Sequence, residues 1–311
     1  MKNKILLLMS ALLMGGCSHA VRETVLSQPP QVTPPVEPPV PVLHRTYTEG
    51  EVLKYKLTLD YSETGEDDSS ASATATATVK KRGDGVFYEA WQWTGRQKNG
   101  ADIKLPAESL DFRQLLSLDP GFKLSIQDLS KIYPLIEPVT DTLTFYADLQ
   151  LAMRKGLALT VGEHLFIEHG LPNSWAGGPT AVGRDCVDFD LTLTDINAAD
   201  NTATLRALHL PPAAGCGAAP VPWLQKPVSD TANNWYQVRK EGKSIYIASA
   251  AKETFDDEIK IGLADGRIVS ATQLNLLTGE KRTCLDEKLA MCGAPGRFSI
   301  VRKLLLAPEA E

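Results

Sequence analysis

The chain has 311 residues, of which 43% are hydrophobic and 23% charged, and its formal net charge is -6. That length suits one or two domains, and the composition excludes a wholly disordered chain and a polytopic membrane protein. No long Lys/Arg run exists to form the basic stripe of a nucleic-acid binder, so no nucleic-acid partner is expected.

The chain opens Met-Lys-Asn-Lys, a basic start carried by Lys2 and Lys4. Residues 5–14 are apolar apart from Ser10. Ten residues of helix span about 15 Å, half of a bilayer core, so this run is too short to cross a membrane and fits a secretory signal instead. Met14-Gly15-Gly16-Cys17 follows. The segment resembles the lipobox of bacterial lipoproteins, in which small residues precede a cysteine that becomes lipidated; Met14 stands where Leu is usual. The resemblance covers residues 1–17. It implies that residues 1–16 are a signal peptide and that Cys17 becomes the first mature residue, carrying a diacylglycerol and an N-acyl chain such as palmitate. Each buried CH₂ contributes about 0.8 kcal/mol, so two or three chains anchor firmly. By the enteric sorting rule, Ser18 in place of Asp points to the outer membrane, with the body facing the periplasm. Losing Lys2 and Lys4 takes the net charge from -6 to -8, that is -6 minus 2. An acidic body does not seek anionic headgroups, so the lipid makes the membrane contact.

Residues 17–46 read as a tether. Seven of the fourteen residues in 29–42 are proline. Proline fixes φ and lacks a backbone donor, which favours extended polyproline II over roughly 43 Å. A β-rich body is expected over residues 47–306, with a tail at 307–311. Leu53, Tyr55, Leu57 and Leu59 alternate with polar residues, as in a half-buried strand. Residues 70–80 alternate strictly, with Ala71, Ala73, Ala75 and Ala77 on one face. Asp84-Gly85 is a tight-turn signal. Residues 86–94 form a third strand with Phe87, Trp91 and Trp93 on one side and Val86, Tyr88 and Ala90 on the other, so both faces are expected to be covered.

Residues 106–156 change period and read as a helical insertion. Ser125 with Asp128 resembles a capping box ahead of a helix that stops at Pro134. A second helix starts near Pro138 and ends at Arg154, Lys155 and Gly156. Strands resume over 187–194 and 202–210, joined by a polar turn at 195–201. Further strands are expected at 235–239, 244–248, 255–263, 267–276 and 297–306, with a hairpin turn at Ala264-Asp265-Gly266. Short connections favour antiparallel neighbours. The fold class is therefore α+β: a large twisted antiparallel sheet, open or curled into a half-barrel, with the helical insertion packed on one face.

Four cysteines besides Cys17 suit two disulfides in an exported chain, with Cys186–Cys216 and Cys284–Cys292 the preferred pairing. No Cys-x-x-Cys knuckle, phosphate-binding glycine loop or dinucleotide fingerprint is present, and no metal or cofactor is expected. The segment 162–190 gathers His164, His169, Ser174, Asp185, Asp188 and Asp190, the side-chain types of nucleophilic catalysis. Of these, His169, Ser174 and Asp185 are the candidate catalytic residues, although Ser174 is not in a nucleophile elbow. A Gly/Pro loop with surface histidines accounts for the same residues. Trp91 and Trp93 are candidate ligand-stacking residues, with a core role as the alternative. The alanine face either admits a closely packed helix or leaves room for a ligand. A curled sheet with a helical lid on a lipid-anchored body resembles, in architecture alone, the lipoprotein carriers that hold acyl chains. The run 48–55 is similar to the start of periplasmic β-rich families and implies no activity. The reading is a non-catalytic lipoprotein that binds an envelope protein or an apolar ligand, with an acyl-chain carrier or a hydrolase as alternatives.

Overall fold

In a computed structural model the described residues are 41–125, 129, 132–171, 181–182, 187–210, 223 and 233–309; of 169–171, 181–182, 187 and 233–237 only the backbone is described. Cys17 and the expected tether up to residue 40, Ser174, Asp185, Cys186 and Cys216 lie outside them, as does most of the expected helix before Pro134. Strands β1 (Val52–Glu63), β2 (Ser69–Lys81) and β3 (Phe87–Lys98) form an antiparallel meander. Gly85 supplies the positive φ, 92°, that the β2–β3 turn needs. The short β4 (Ala101–Asp102), α1 (Ala107–Asp111) and β5 (Gln114–Leu116) follow.

One 3-10 turn, Tyr133–Leu135, leads into α2 (Ile136–Arg154). Pro138 sits in its first turn, where the missing N–H costs nothing, and Gly156 at φ 71° follows its end. The remaining strands are β6 (His164–Leu171), β7 (Ala181–Val182), β8 (Val187–Asn197), β9 (Thr202–Leu210), β10 (Asn233–Lys240), β11 (Tyr246–Gly262), β12 (Ile268–Cys284) and β13 (Gly296–Pro308). The sheet runs β4-β3-β2-β1-β13-β12-β11-β9-β8-β6, all antiparallel. Strand β11 pairs β10 through its first half and β9 through its second. Two expectations are corrected. The segments 244–248 and 255–263 are one continuous strand, and residues 164–171, read as loop, are an edge strand paired with β8.

The sheet is open and curls around α2. Flat, β3 and β9 would lie six strand spacings apart, about 29 Å. Yet Tyr146 and Asp148, two positions and about 3 Å of rise apart on α2, reach one each. The Tyr146 hydroxyl donates to Glu89 of β3 at 2.5 Å, and Asp148 meets His209 of β9 at 2.9 Å. A half-barrel is the geometry that allows both contacts. Inside it α2 is buried on nearly every side, with Leu143, Phe145, Leu149 and Ala152 in the core it shares with the strands.

The alanine strand has a packing explanation. Ala75 lies opposite Tyr55 on one side and Trp93 on the other, and Ala77 lies opposite Trp91. The small side chains leave room for the large rings of both neighbouring strands to meet above β2. Tyr55 and Trp91 stack at 4.7 Å, and Tyr146 of α2 meets Trp91 edge-on at 5.8 Å. Trp91 and Trp93 are 0% and 1% exposed, so they are core residues out of reach of a ligand arriving from solvent.

Residues 41–46 belong to the body. The Leu43 amide donates to Leu157 at 3.1 Å, Leu159 to Pro41 at 2.8 Å, and Thr46 to Asp265 at 2.7 Å. Arg45 is buried beside Glu51 at 3.3 Å and Glu89 at 3.8 Å. This strap crosses Gly266, whose φ is 71° and where a Cβ would stand 1.9 Å from the His44 carbonyl oxygen. Gly266→Ala therefore should cost about 1–3 kcal/mol in chemical denaturation, from the backbone clash and the forced left-handed φ.

Cys284 and Cys292 are bonded, as expected, across a sequence separation of 8. Closing so short a loop in the unfolded chain is worth about 2–3 kcal/mol. A Cys284→Ser, Cys292→Ser double variant should unfold earlier by that amount, and a reductant should then have no further effect on this loop.

Candidate functional site

The inner face of the half-barrel carries a polar seam. One row across the sheet is wholly apolar: Leu57, Leu306, Ala271, Ile259, Leu205 and Leu193, from β1 to β8. The next row places Gln273 and Asp257 between Leu304 and Ala207. The one after places Arg302, Asn275, Phe255 and His209 side by side. On each strand these polar residues occupy inward positions of an apolar alternation, and α2 covers them with Glu137, Asp141 and Asp148.

The first cluster is ionic. The Arg302 guanidinium donates to both Asp141 oxygens, at 2.9 and 2.8 Å, and lies 3.7 Å from Glu137, which Arg96 of β3 also engages at 2.6 Å. Burial pushes the Asp141 carboxyl up to about 6, and Arg302 pulls against that shift without overcoming it. Glu89 forms a second cluster. It accepts from Tyr146 and from Trp91, and burial raises its carboxyl against the pull of Tyr146 and Arg45.

The third cluster joins α2, β9 and β11. His209 Nε2 lies 2.9 and 3.0 Å from the two oxygens of Asp148, so that nitrogen carries the proton it donates. Asp257 is within hydrogen-bonding reach of Asp148, and burial, then the Asp148 charge, drive its carboxyl well above the ordinary range. Gln273 Nε2 donates to Asp257 Oδ2 at 3.1 Å. The exposures of Asp148, His209 and Asp257 are 0%, 5% and 0%. One donor-type atom from each lies within 4.8 Å of the others, the only such His/Cys/Asp/Glu group found among the described residues.

Sequence reasoning missed all three clusters. Its own candidates fall elsewhere. The backbone of His169 is in β6, while Ser174 and Asp185 lie outside the described residues. His164 Nε2 pairs with Asp190 at 2.6 Å across β6 and β8, and Asp188 is buried. Asn197 accepts from the amides of Ala199 and Asp200 and donates to the Asp200 carboxylate, an Asx-type hairpin turn. The signal available was a polar side chain inside an apolar alternation: Asp257 between Phe255 and Ile259, His209 after Leu205 and Ala207, Arg302 between Ile300 and Leu304.

No family model matches the sequence, and no curated relative does. Among solved structures, one described as showing lipid–protein interactions in lipovitellin is similar over 85% of this chain, at 10% identity and a TM-score of 0.34, and this chain spans 25% of its length.

Proposed function

We propose that the chain is a lipid-anchored envelope lipoprotein, held at the outer membrane through Cys17 and facing the periplasm, whose body is a non-catalytic binding module. The observation that carries this reading is the agreement of four features within residues 1–17: Lys2 and Lys4, an apolar run of signal length, Gly15-Gly16, and Cys17. The Pro-rich stretch from residue 29 supports it as a stalk. Among the described residues no helix is long and apolar enough to cross a membrane. The test is metabolic labelling with a fatty acid in a bacterial host. The full chain should take up label and fractionate with membranes, and Cys17→Ala should do neither. An unlabelled wild-type protein, or a mature product that retains Met1, would overturn the reading.

A second reading is carriage of an acyl chain or another apolar ligand within the curl of the sheet. It is favoured by the open edge of the half-barrel and by the apolar row at one end of its inner face, which α2 covers. Ligand entry would require α2 to shift. If protein without its lipid anchor carries no co-purified lipid in native mass spectrometry and binds no apolar dye, this reading is lost. The hydrolase alternative rests on His169, Ser174 and Asp185, whose side chains lie outside what the structure describes; within it, His164 pairs with Asp190.

A further inference from the structure

The cluster where α2 meets β9 and β11 is built from the donors of a metal site. We infer that Asp148, His209 and Asp257 form a buried site for a divalent transition ion of the zinc type, beside Gln273, whose amide now donates to Asp257 and would have to turn over to offer its oxygen as a fourth donor. Four observations carry this. The donor set is one imidazole and two carboxylates, which suits zinc, and a tetrahedral zinc with ligands about 2.0–2.2 Å away has donor atoms roughly 3.3 Å apart. His209 Nε2 and Asp148 stand at a hydrogen-bond distance, 2.9–3.0 Å, which an ion would widen by a few tenths of an ångström as it displaces the Nε2 proton, and all three donors fall within 4.8 Å of one another. Asp148 and Asp257 are both fully buried beside a single imidazole, so a proton or a cation must meet their charge. Two buried acceptor atoms of the same cluster, Asp257 Oδ1 and Gln273 Oε1, meet no N–H donor, and Asp257 faces the carboxylate of Asp148 instead. Orphaned acceptors are costly in a native interior, and a cation is what acceptor-only atoms lack.

The donors come from three elements that are distant in sequence. A bound ion would therefore pin α2 to the far wall of the half-barrel. Because the site is enclosed, the ion would enter during folding and leave slowly. The same enclosure leaves little room for a substrate, so the role is structural. This inference does not depend on the lipid anchor or on the binding role proposed above.

The experiment uses the full mature chain, refolded with and without zinc and then with cobalt. The expected result is about one tightly held zinc per chain by elemental analysis, a raised thermal midpoint, and a tetrahedral cobalt spectrum in the visible. Asp257→Asn and His209→Gln should each weaken binding at least tenfold. His164→Ala, which alters an exposed His–Asp pair, should leave binding unchanged. Because the first two variants alter a buried cluster and could fail to fold, the wild-type cobalt spectrum is decisive by itself. A wild type that takes up neither ion, or whose cobalt spectrum is that of an open, water-rich site, overturns the inference. So does binding lost with His164→Ala and kept in folded Asp257→Asn. In those cases the two carboxylates share a proton instead.

Discussion

Replacing Arg302 by Met should destabilise the body by about 3–5 kcal/mol at neutral pH, the usual cost of removing one partner from a buried ion pair. Arg302 faces Asp141 at 2.8 Å, and Arg96, the other cation nearby, is committed to Glu137 at 2.6 Å. Among the described residues, Arg302 is the cation that meets the Asp141 charge at contact distance. The double variant Asp141→Leu, Arg302→Met should recover most of the loss, because the desolvation of both charges disappears together. The pH dependence separates this account from a simple packing defect. Burial raises Asp141 to about 6, above its unfolded value near 4. Between those values the folded state holds a proton that the unfolded state has released. Stability from this group is therefore greatest at the acid end and is lost as pH rises through about 6. Removing Arg302 raises the carboxyl further, so the cost of Arg302→Met should shrink as pH falls toward 5. Denaturant titrations of the two proteins across that range check it. An equal cost at pH 5 and pH 8 would show that the guanidinium matters for its volume rather than its charge.

The parts of the fold that were legible in the sequence are those where one local rule acts alone. Strands β1 and β2 alternate strictly because one face of each is core and the other is not. The end of α2 is marked by Arg154 and by Gly156, which takes the left-handed φ. Strand β6 was hidden because Phe166, exposed on the outward face, makes Leu165, Phe166 and Ile167 a continuous apolar run and blurs their alternation with His164 and Glu168. The first half of β11 was broken in two because Ala248, Ala250 and Ala251 are all buried while Ser249 between them is buried as well, so no alternation appears. The polar seam was illegible for a different reason. Asp257 or Arg302 alone reads as a solvated residue in an imperfect strand. Its meaning depends on a partner that only the curl of the sheet brings near, as with Asp148 and His209 or Asp141 and Arg302. The strict alternation of β2 drew attention to its alanine face, whereas the unusual chemistry of the interior lies on β9, β11 and β13.

Trp91→Ala should be about as damaging as Arg302→Met, at about 3–5 kcal/mol, and it should also create a ligand site that the wild-type protein lacks. Trp91 is fully buried, stacked on Tyr55 and met edge-on by Tyr146, above the small side chains of Ala75 and Ala77. Those alanines cannot move in to fill the space, because their backbone is fixed between β1 and β3. The variant should therefore leave a true void rather than collapse. Its indole also donates to Glu89 Oε2 at 3.1 Å, so the carboxylate loses one donor and keeps Tyr146 and the more distant Arg45. That orphaning adds to the cavity cost. Engineered apolar cavities of about 150 Å³ stay dry and take up benzene. The thermal midpoint of Trp91→Ala should consequently rise when benzene is added, while that of the wild type stays put. This pair of measurements also bears on the carrier reading. A wild type that responds to benzene as strongly as the variant would mean the space above β2 is already open to apolar ligands, and that the aromatic rings over the alanine strand are movable walls rather than fixed packing.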